Sequence, residues 1–225
     1  MISVMSSLAI KEAYLELVPR FEKESGQKVA TAWAGMVDIR KRMLAGEVVD
    51  LVIGSAAAID ELIGARKLAA GRMDLARSGV AVAVRAGAPR PDIGSGEALK
   101  RALLSAKSIG CSSGPSGVYL AELFKRMGIA EQVKPKITQT PPGTAVGPLV
   151  ARGEVEIGFQ QLSELLPTEG IDIVGALPAG IQLVTVFSAG VHVGAKEPEA
   201  AKALIRFLTS PSAAPIIRRK GMDPA

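Results

Sequence analysis

Apolar positions along this 225-residue chain switch repeatedly between a period near two and a period near three and a half, the signature of alternating strands and helices. Residues 2–5 form a short apolar run that predicts a strand. Ser6-Ser7 follow, a pair suited to opening a helix. Ile10, Tyr14, Leu17, Val18 and Phe21 then recur at helical spacing up to Gly26, with Pro19 inside as a source of a kink. Residues 28–33 read as a second strand. Ala34-Gly35 open a helix carrying Val37, Ile39, Met43 and Leu44, closed by Gly46. Residues 49–53, with Asp50 at their start, predict a buried strand, and residues 56–63 a third helix.

A second run of the same kind starts near Gly79. It predicts a strand at 80–84, a loop at 87–91, a helix at 98–105 and a strand at 108–111. The small-residue turn Ser112-Ser113-Gly114-Pro115-Ser116-Gly117 feeds a helix with Leu120, Ala121, Phe124 and Met127 on one side. A strand at 136–139 follows, then Thr140-Pro141-Pro142-Gly143 to open a helix through Val150, and a strand at 155–159 before Gln160-Gln161. The last third predicts strands at 181–187 and 190–193, an amphipathic helix marked by Ala200, Ala203, Leu204, Phe207 and Leu208, and a short helix at 211–220. The fold class is α/β, mainly parallel sheets flanked by helices. The last segment has too few strands for a core of its own and is expected to return to the first unit. That gives lobe 1 at 1–79 plus 189–225, lobe 2 at 80–188, and two hinge crossings near 79–86 and 182–190. No fixed-period repeat is present.

Composition narrows the chemistry. With 48% hydrophobic and 22% charged residues, the chain is neither disordered nor a charged tail. A single Cys (Cys111) and a single His (His192) exclude an internal disulfide, a multi-thiolate zinc site, an iron–sulfur cluster and a His-rich metal site. No metal and no cofactor is therefore expected. Aromatics at 4% argue against a stacking platform for single-stranded nucleic acid or sugars. The net charge is +5, but its densest runs, Arg40-Lys41-Arg42 and Arg218-Arg219-Lys220, are short and lie in helical patterns. They read as solvated helix faces; no nucleic-acid partner is expected, and the surplus suits a small anion. No run of 18 apolar residues occurs. No secretory leader follows Met1, so an intracellular chain and one with a trimmed signal are both open.

Four places share one design, in which a strand ends, small or hydroxyl residues follow, and a helix starts. They are Ser6-Ser7, Ala34-Gly35-Met36, residues 113–117, and residues 140–144. In open parallel sheets this carboxyl edge is where ligands bind. Unpaired N–H groups and the positive end of the helix dipole converge there, each terminus contributing about 0.3–2 kcal/mol toward an anion. The candidate ligand-binding residues are Ser6, Ser7, Gly35, Met36, Ser113, Ser116, Gly117 and Gly143. Arg85, ending the crossing strand, and Gln160 and Gln161, after a buried strand, join them. Ser and Gly at helix starts also serve simply as caps. The 112–117 turn, with three serines and two glycines, is the least ordinary of the four. It is not a phosphate loop, because no Lys-Ser/Thr follows. His192 reads as a packed histidine and Cys111 as a buried thiol. No Gly-x-Ser-x-Gly, His-Glu-x-x-His or Gly-x-Gly-x-x-Gly motif is present, and no catalytic residue is assigned.

A set of segments in fixed order carries a resemblance over essentially the whole chain. They are Ser6-Ser7-Leu8, Phe21-Glu22-Lys23-Glu24-Ser25-Gly26, Leu44-Ala45-Gly46-Glu47-Val48-Val49-Asp50-Leu51-Val52-Ile53 and Pro115-Ser116-Gly117-Val118-Tyr119. Leu149-Val150-Ala151-Arg152-Gly153-Glu154, Ile157-Gly158-Phe159-Gln160-Gln161 and the helix at 203–208 complete the set. The chain resembles the type II periplasmic (extracellular) solute-binding proteins, nearest their molybdate-binding branch. The resemblance implies a two-lobed fold closing on a small anion that is handed to an ABC permease, a periplasmic location and a monomer. The family's ligand positions fall on Ser6 or Ser7, on Gly35 or Met36 where a hydroxyl is lost, near Ser116, near Gly143, and on Gln161 in place of a tyrosine. These changes favour an organic carboxylate over molybdate or tungstate. An enzyme of the aconitate isomerase type resembles the same branch. The alternative is thus a proton-shifting isomerase acting on a small tricarboxylate, although no motif names its base.

Overall fold

The computed structural model describes every residue, Met1–Ala225. The chain runs through β1 (Ile2–Ser6), α1 (Lys11–Ser25), β2 (Val29–Trp33), α2 (Met36–Leu44), β3 (Leu51–Ser55), α3 (Ala56–Gly64) and β4 (Met73–Arg85). Next come α4 (Gly96–Ser105), β5 (Ile109–Cys111), α5 (Pro115–Arg126), α6 (Ala130–Val133), β6 (Ile137–Gln139) and α7 (Gly147–Ala151). The remainder is β7 (Ile157–Gln161), α8 (Leu162–Leu165), β8 (Ile171–Ala176), β9 (Val184–Val191), α9 (Pro198–Leu208), α10 (Ala214–Arg219) and β10 (Asp223–Pro224). Two compact units result: Met1–Ser78 with Thr185–Ala225, and Gly79–Val184.

In the first unit β1 lies between β2 and β3 and is parallel to both, with Ser6 in register with Trp33 on one side and Ile53 on the other. β9 adds antiparallel to β3, from Ser55 opposite Phe187 to Leu51 opposite Val191, and Thr185–Ala225 belongs to this unit. β3 is buried along its whole length, as its unbroken apolar run requires. One layer packs Tyr14, Leu17 and Phe21 of α1 and Leu204 and Leu208 of α9 against Val4 and Ile53. The other layer packs Met36, Ile39 and Met43 of α2 and Ile59 and Leu62 of α3 with Met5 and Val52. Pro19 sits inside α1 without ending it. Asp50, just ahead of β3, ties the layers together. It accepts from the Ser3 amide at 2.8 Å and hydroxyl at 2.6 Å, and from the amides of Lys196 and Glu197 at 2.7 and 2.8 Å, where α9 begins.

In the second unit β5 lies between β6 and β7, parallel to both. β4 is antiparallel to β7, with Val80 opposite Gln161 and Ala83 opposite Gly158, and β8 is antiparallel to β4. Its core joins Leu99 and Leu103 of α4, Leu120, Leu123 and Phe124 of α5, and Val82, Ile109 and Phe159 of the sheet.

The main departures from the pattern-based expectation are in three of the longer strands, and the short α6, α8 and β10 are not expected from it either. β4 begins at Met73 rather than near residue 80, because Arg77 and Ser78 interrupt the apolar run without interrupting the strand. The two strands expected at 181–187 and 190–193 are the single β9. β8 has no counterpart in the expectation; its residues are only partly buried and give no clean alternation.

Candidate functional site

Parallel pairing in the first unit brings the carboxyl ends of β1, β2 and β3 to one edge. Ser7 caps a single 3-10 turn, Leu8–Ile10, that leads into α1. Its amide donates to the Ile53 carbonyl at 2.9 Å and its neighbour's hydroxyl, Ser6 Oγ, donates to the Ser7 carbonyl at 3.1 Å. The Ser7 hydroxyl itself is buried and has no partner. A buried polar atom left so costs about 1–3 kcal/mol unless something completes it. Gly35 caps α2 in extended backbone that any residue adopts. Met36 corrects the expectation in one respect: its side chain belongs to the core, so tightly set over Gly54 that a Cβ there would fall within 3 Å of its thioether. Only its backbone remains for a ligand.

The second unit repeats the arrangement. Cys111 is in register with Gln139 and Phe159, so Ser112, Thr140 and Gln160 meet at one edge. Gly114 caps α5, Pro115 occupies its first turn, and Ser116 and Gly117 follow. The buried hydroxyls of Ser112 and Ser116 lie 2.9 Å apart, and the Gly114 amide donates to Ser112 Oγ at 3.3 Å. Ser113 is half-buried beside them. Gly117 is there by necessity: a Cβ on it would lie 1.6 Å from the Ser112 carbonyl oxygen.

Two expected members are placed differently from the pattern that suggested them. Gly143 does not open a helix; α7 starts only at Gly147. Pro141 and Gly143 instead build a turn, with Gly143 at φ +75° and the Thr144 amide donating to the Pro141 carbonyl at 3.1 Å. Left-handed backbone at Gly143 is what stops a helix there. Arg85 lies at the opposite edge of its sheet. β4 runs antiparallel to β7, so Ala81 stands opposite Gln160 while Arg85 is four residues, about 13 Å, further on. Gln160 and Gln161, being consecutive strand residues, present their side chains to opposite faces.

Gln160 has a definite task. Its buried side-chain carbonyl accepts from the Val146 amide at 2.7 Å, anchoring the 140–146 segment. It also bonds to Glu164, four residues on in α8, a residue the sequence pattern did not single out. Burial pushes the Glu164 carboxyl from the ordinary 4.5 up to about 7, against the smaller opposing pull of Gln160, and no charged group bears on it. Cys111 is inert by contrast, its thiol pushed up to about 12 by burial. His192 is packed in the first unit. Its Nδ1 accepts from the Gly194 amide at 2.9 Å, and burial, followed by Lys67, lowers its basicity.

A family model described as bacterial extracellular solute-binding protein matches residues 2–223. The chain belongs to that family. Among curated relatives of this solute-binding protein, aconitate isomerase of a Pseudomonas species is 40% identical over 230 residues, covering 99% of this chain and 87% of the relative. The molybdate-binding protein ModA of Escherichia coli K12 is 23% identical, covering 98% and 88%. Among solved structures, the Azotobacter vinelandii periplasmic molybdate-binding protein superposes with a TM-score of 0.81 at 16% identity, over 99% of this chain and 98% of that one. The sulfate-binding protein SubI of Mycobacterium tuberculosis gives 0.80 at 17%, over 100% and 86%. The fold is that of the type II periplasmic binding proteins. No helix is long and apolar enough to cross a membrane.

Proposed function

We propose that this solute-binding protein captures a small organic polycarboxylate. Each unit by itself offers an anion-binding edge: the Ser7 hydroxyl with the start of α2 in the first, and the Ser112–Ser116 hydroxyl pair at the start of α5 in the second. The observation that carries the reading is the Ser7 hydroxyl, buried and unpartnered at a sheet edge where two helical segments begin. Hydroxyls and amides suit carboxylate oxygens, which need donors rather than a counter-charge. Oxyanion-binding relatives share the fold, and the 40% identical relative is named for a tricarboxylate substrate. After capture the anion is passed to an ABC-type permease, outside the cytoplasm and by a monomer.

A second reading is favoured by Glu164. A carboxyl held near neutrality, bonded to Gln160 at the strand edge of the second unit, supplies the base that the sequence motifs did not. Capture then leads to an allylic proton shift instead of release. Calorimetric titration with trans-aconitate, citrate, molybdate and sulfate tests the common step. Saturable heat with the carboxylates is expected, and at 100 times Kd the ligand adds about 2.7 kcal/mol of stability. Binding of molybdate or sulfate alone would overturn the carboxylate reading.

A further inference from the structure

Glu164 stands in a short relay of locked groups. The Val146 amide fixes the Gln160 carbonyl oxygen at 2.7 Å, leaving the Gln160 amide nitrogen as the group that meets the Glu164 carboxyl. The relay sits at the edge where Ser112 and Ser116 lie, since Cys111 and Phe159, the residues preceding Ser112 and Gln160, are in register. No lysine or arginine neutralises Glu164, whose carboxyl is desolvated by burial although the residue as a whole keeps some exposure. A buried structural carboxylate would be expected to have such a partner. Cys111 lies in the core of the second unit, and His192 accepts through Nδ1 in the first unit.

Resting on the isomerase reading above, we propose that Glu164 is the catalytic residue that carries the proton in the isomerisation of an unsaturated tricarboxylate, with Gln160 as its positioning residue. The Glu164 carboxylate takes a proton from the substrate's methylene carbon. The electron pair of that C–H bond becomes the new C–C double bond, while the old π pair moves to the former vinyl carbon. The same carboxyl returns the proton there. One C–H bond breaks, one forms, and nothing is oxidised or reduced. A carboxyl that titrates near pH 7 is a stronger base than an ordinary one and still a competent acid.

The experiment follows trans-aconitate by proton NMR in H₂O and in D₂O with wild type, Glu164→Gln and Glu164→Asp, alongside calorimetric Kd values. Wild type is expected to interconvert the isomers and wash deuterium into the methylene, with a rate limb centred near pH 7. Glu164→Gln should bind within about threefold of wild type and lose about 10²–10⁴-fold in turnover, the range for removing a general base. Glu164→Asp should retain part of the rate with a displaced limb. If wild type binds trans-aconitate but neither converts it nor exchanges its protons, the isomerase reading fails and this assignment with it. If wild type turns over and Glu164→Gln does so within tenfold, the assignment alone is wrong. Loss of binding together with turnover would make Glu164 structural. Should Glu164→Gln not fold, the wild-type rate limb decides: a limb absent between pH 6 and 8 overturns the proposal.

Discussion

The two units build nearly the same edge from parallel strands followed by helix starts, yet they furnish it differently. The first offers amides and the Ser6 and Ser7 hydroxyls at the strand ends; one hydroxyl is left open. The second offers a closed hydroxyl pair, a glutamine locked by a backbone amide, and a carboxyl poised near neutrality. An edge of fixed dipoles and hydroxyls can recognise an anion but cannot move a proton. An edge that adds an uncompensated carboxyl can do both. On the function proposed above, recognition would be common to the two units and the proton shift confined to the second.

The largest effect expected from breaking this contrast is at Gly117. Ser112 and Ser116 meet only because the α5 start comes so close to the Ser112 carbonyl that a Cβ would lie 1.6 Å from it. Gly117→Ala must displace backbone on one side or the other, and a loss of about 4 kcal/mol or more is expected. Trp33, the single tryptophan, lies in the first unit. The variant's circular-dichroism transition in urea should therefore precede the change in Trp33 fluorescence. Coincident, wild-type-like transitions would show that the turn is slack and the second edge is not built as described.

The next effect is in the pH dependence, where the two units should have opposite signs. Burial alone would raise the Asp50 carboxyl, but bonds from the Ser3 hydroxyl and amide and the Glu197 and Lys196 amides outweigh it and hold it below the ordinary range. Its contribution is present above the ordinary carboxylate pKa and is lost as pH falls through the folded-state value. Glu164 is raised, so the folded state holds its proton more tightly than the unfolded chain does. That contribution is complete below 4.5 and is lost as pH rises to about 7, at most about 3 kcal/mol for this shift. Denaturation from pH 3 to 9 should show Asp50→Asn flattening the acid limb and Glu164→Gln flattening the limb between 4.5 and 7. An unchanged upper limb in Glu164→Gln would mean the carboxyl is solvated and ordinary.

Most of this architecture was readable from residue pattern, and the exceptions have physical reasons. The continuous run at Leu51, Val52 and Ile53 marks a strand buried on both faces, and the i, i+3, i+4 pattern of Ala200, Ala203 and Leu204 marks α9. Strand direction is not written in any local pattern, so Arg85 could not be placed at the far edge before β4 was seen to run antiparallel to β7. Nor could Met36 be assigned, since a residue at a helix start serves core and ligand edge equally well until Gly54 is found beneath it. Hydroxyl-rich turns announced themselves at Ser7 and Ser116. Glu164 did not, because burial without a counter-charge is a property of the folded surroundings, not of the residue's neighbours in sequence.

The smallest expected effect is the sharpest test of the open hydroxyl. Ser7 Oγ is buried without a partner in the free protein, so its desolvation is already a cost to folding. Ser7→Ala should leave stability within about 1 kcal/mol of wild type, with any change toward greater stability. Kd for trans-aconitate should rise about tenfold, the equivalent of about 1.4 kcal/mol for one lost donor. Ser116→Ala in the second unit breaks an existing 2.9 Å bond and should weaken both folding and binding. The comparison therefore turns on which quantity moves. A Ser7→Ala protein that binds as tightly as wild type would remove Ser7 from the ligand's contacts. One that unfolds more readily would make its hydroxyl structural, and the first edge would then have no group reserved for the anion.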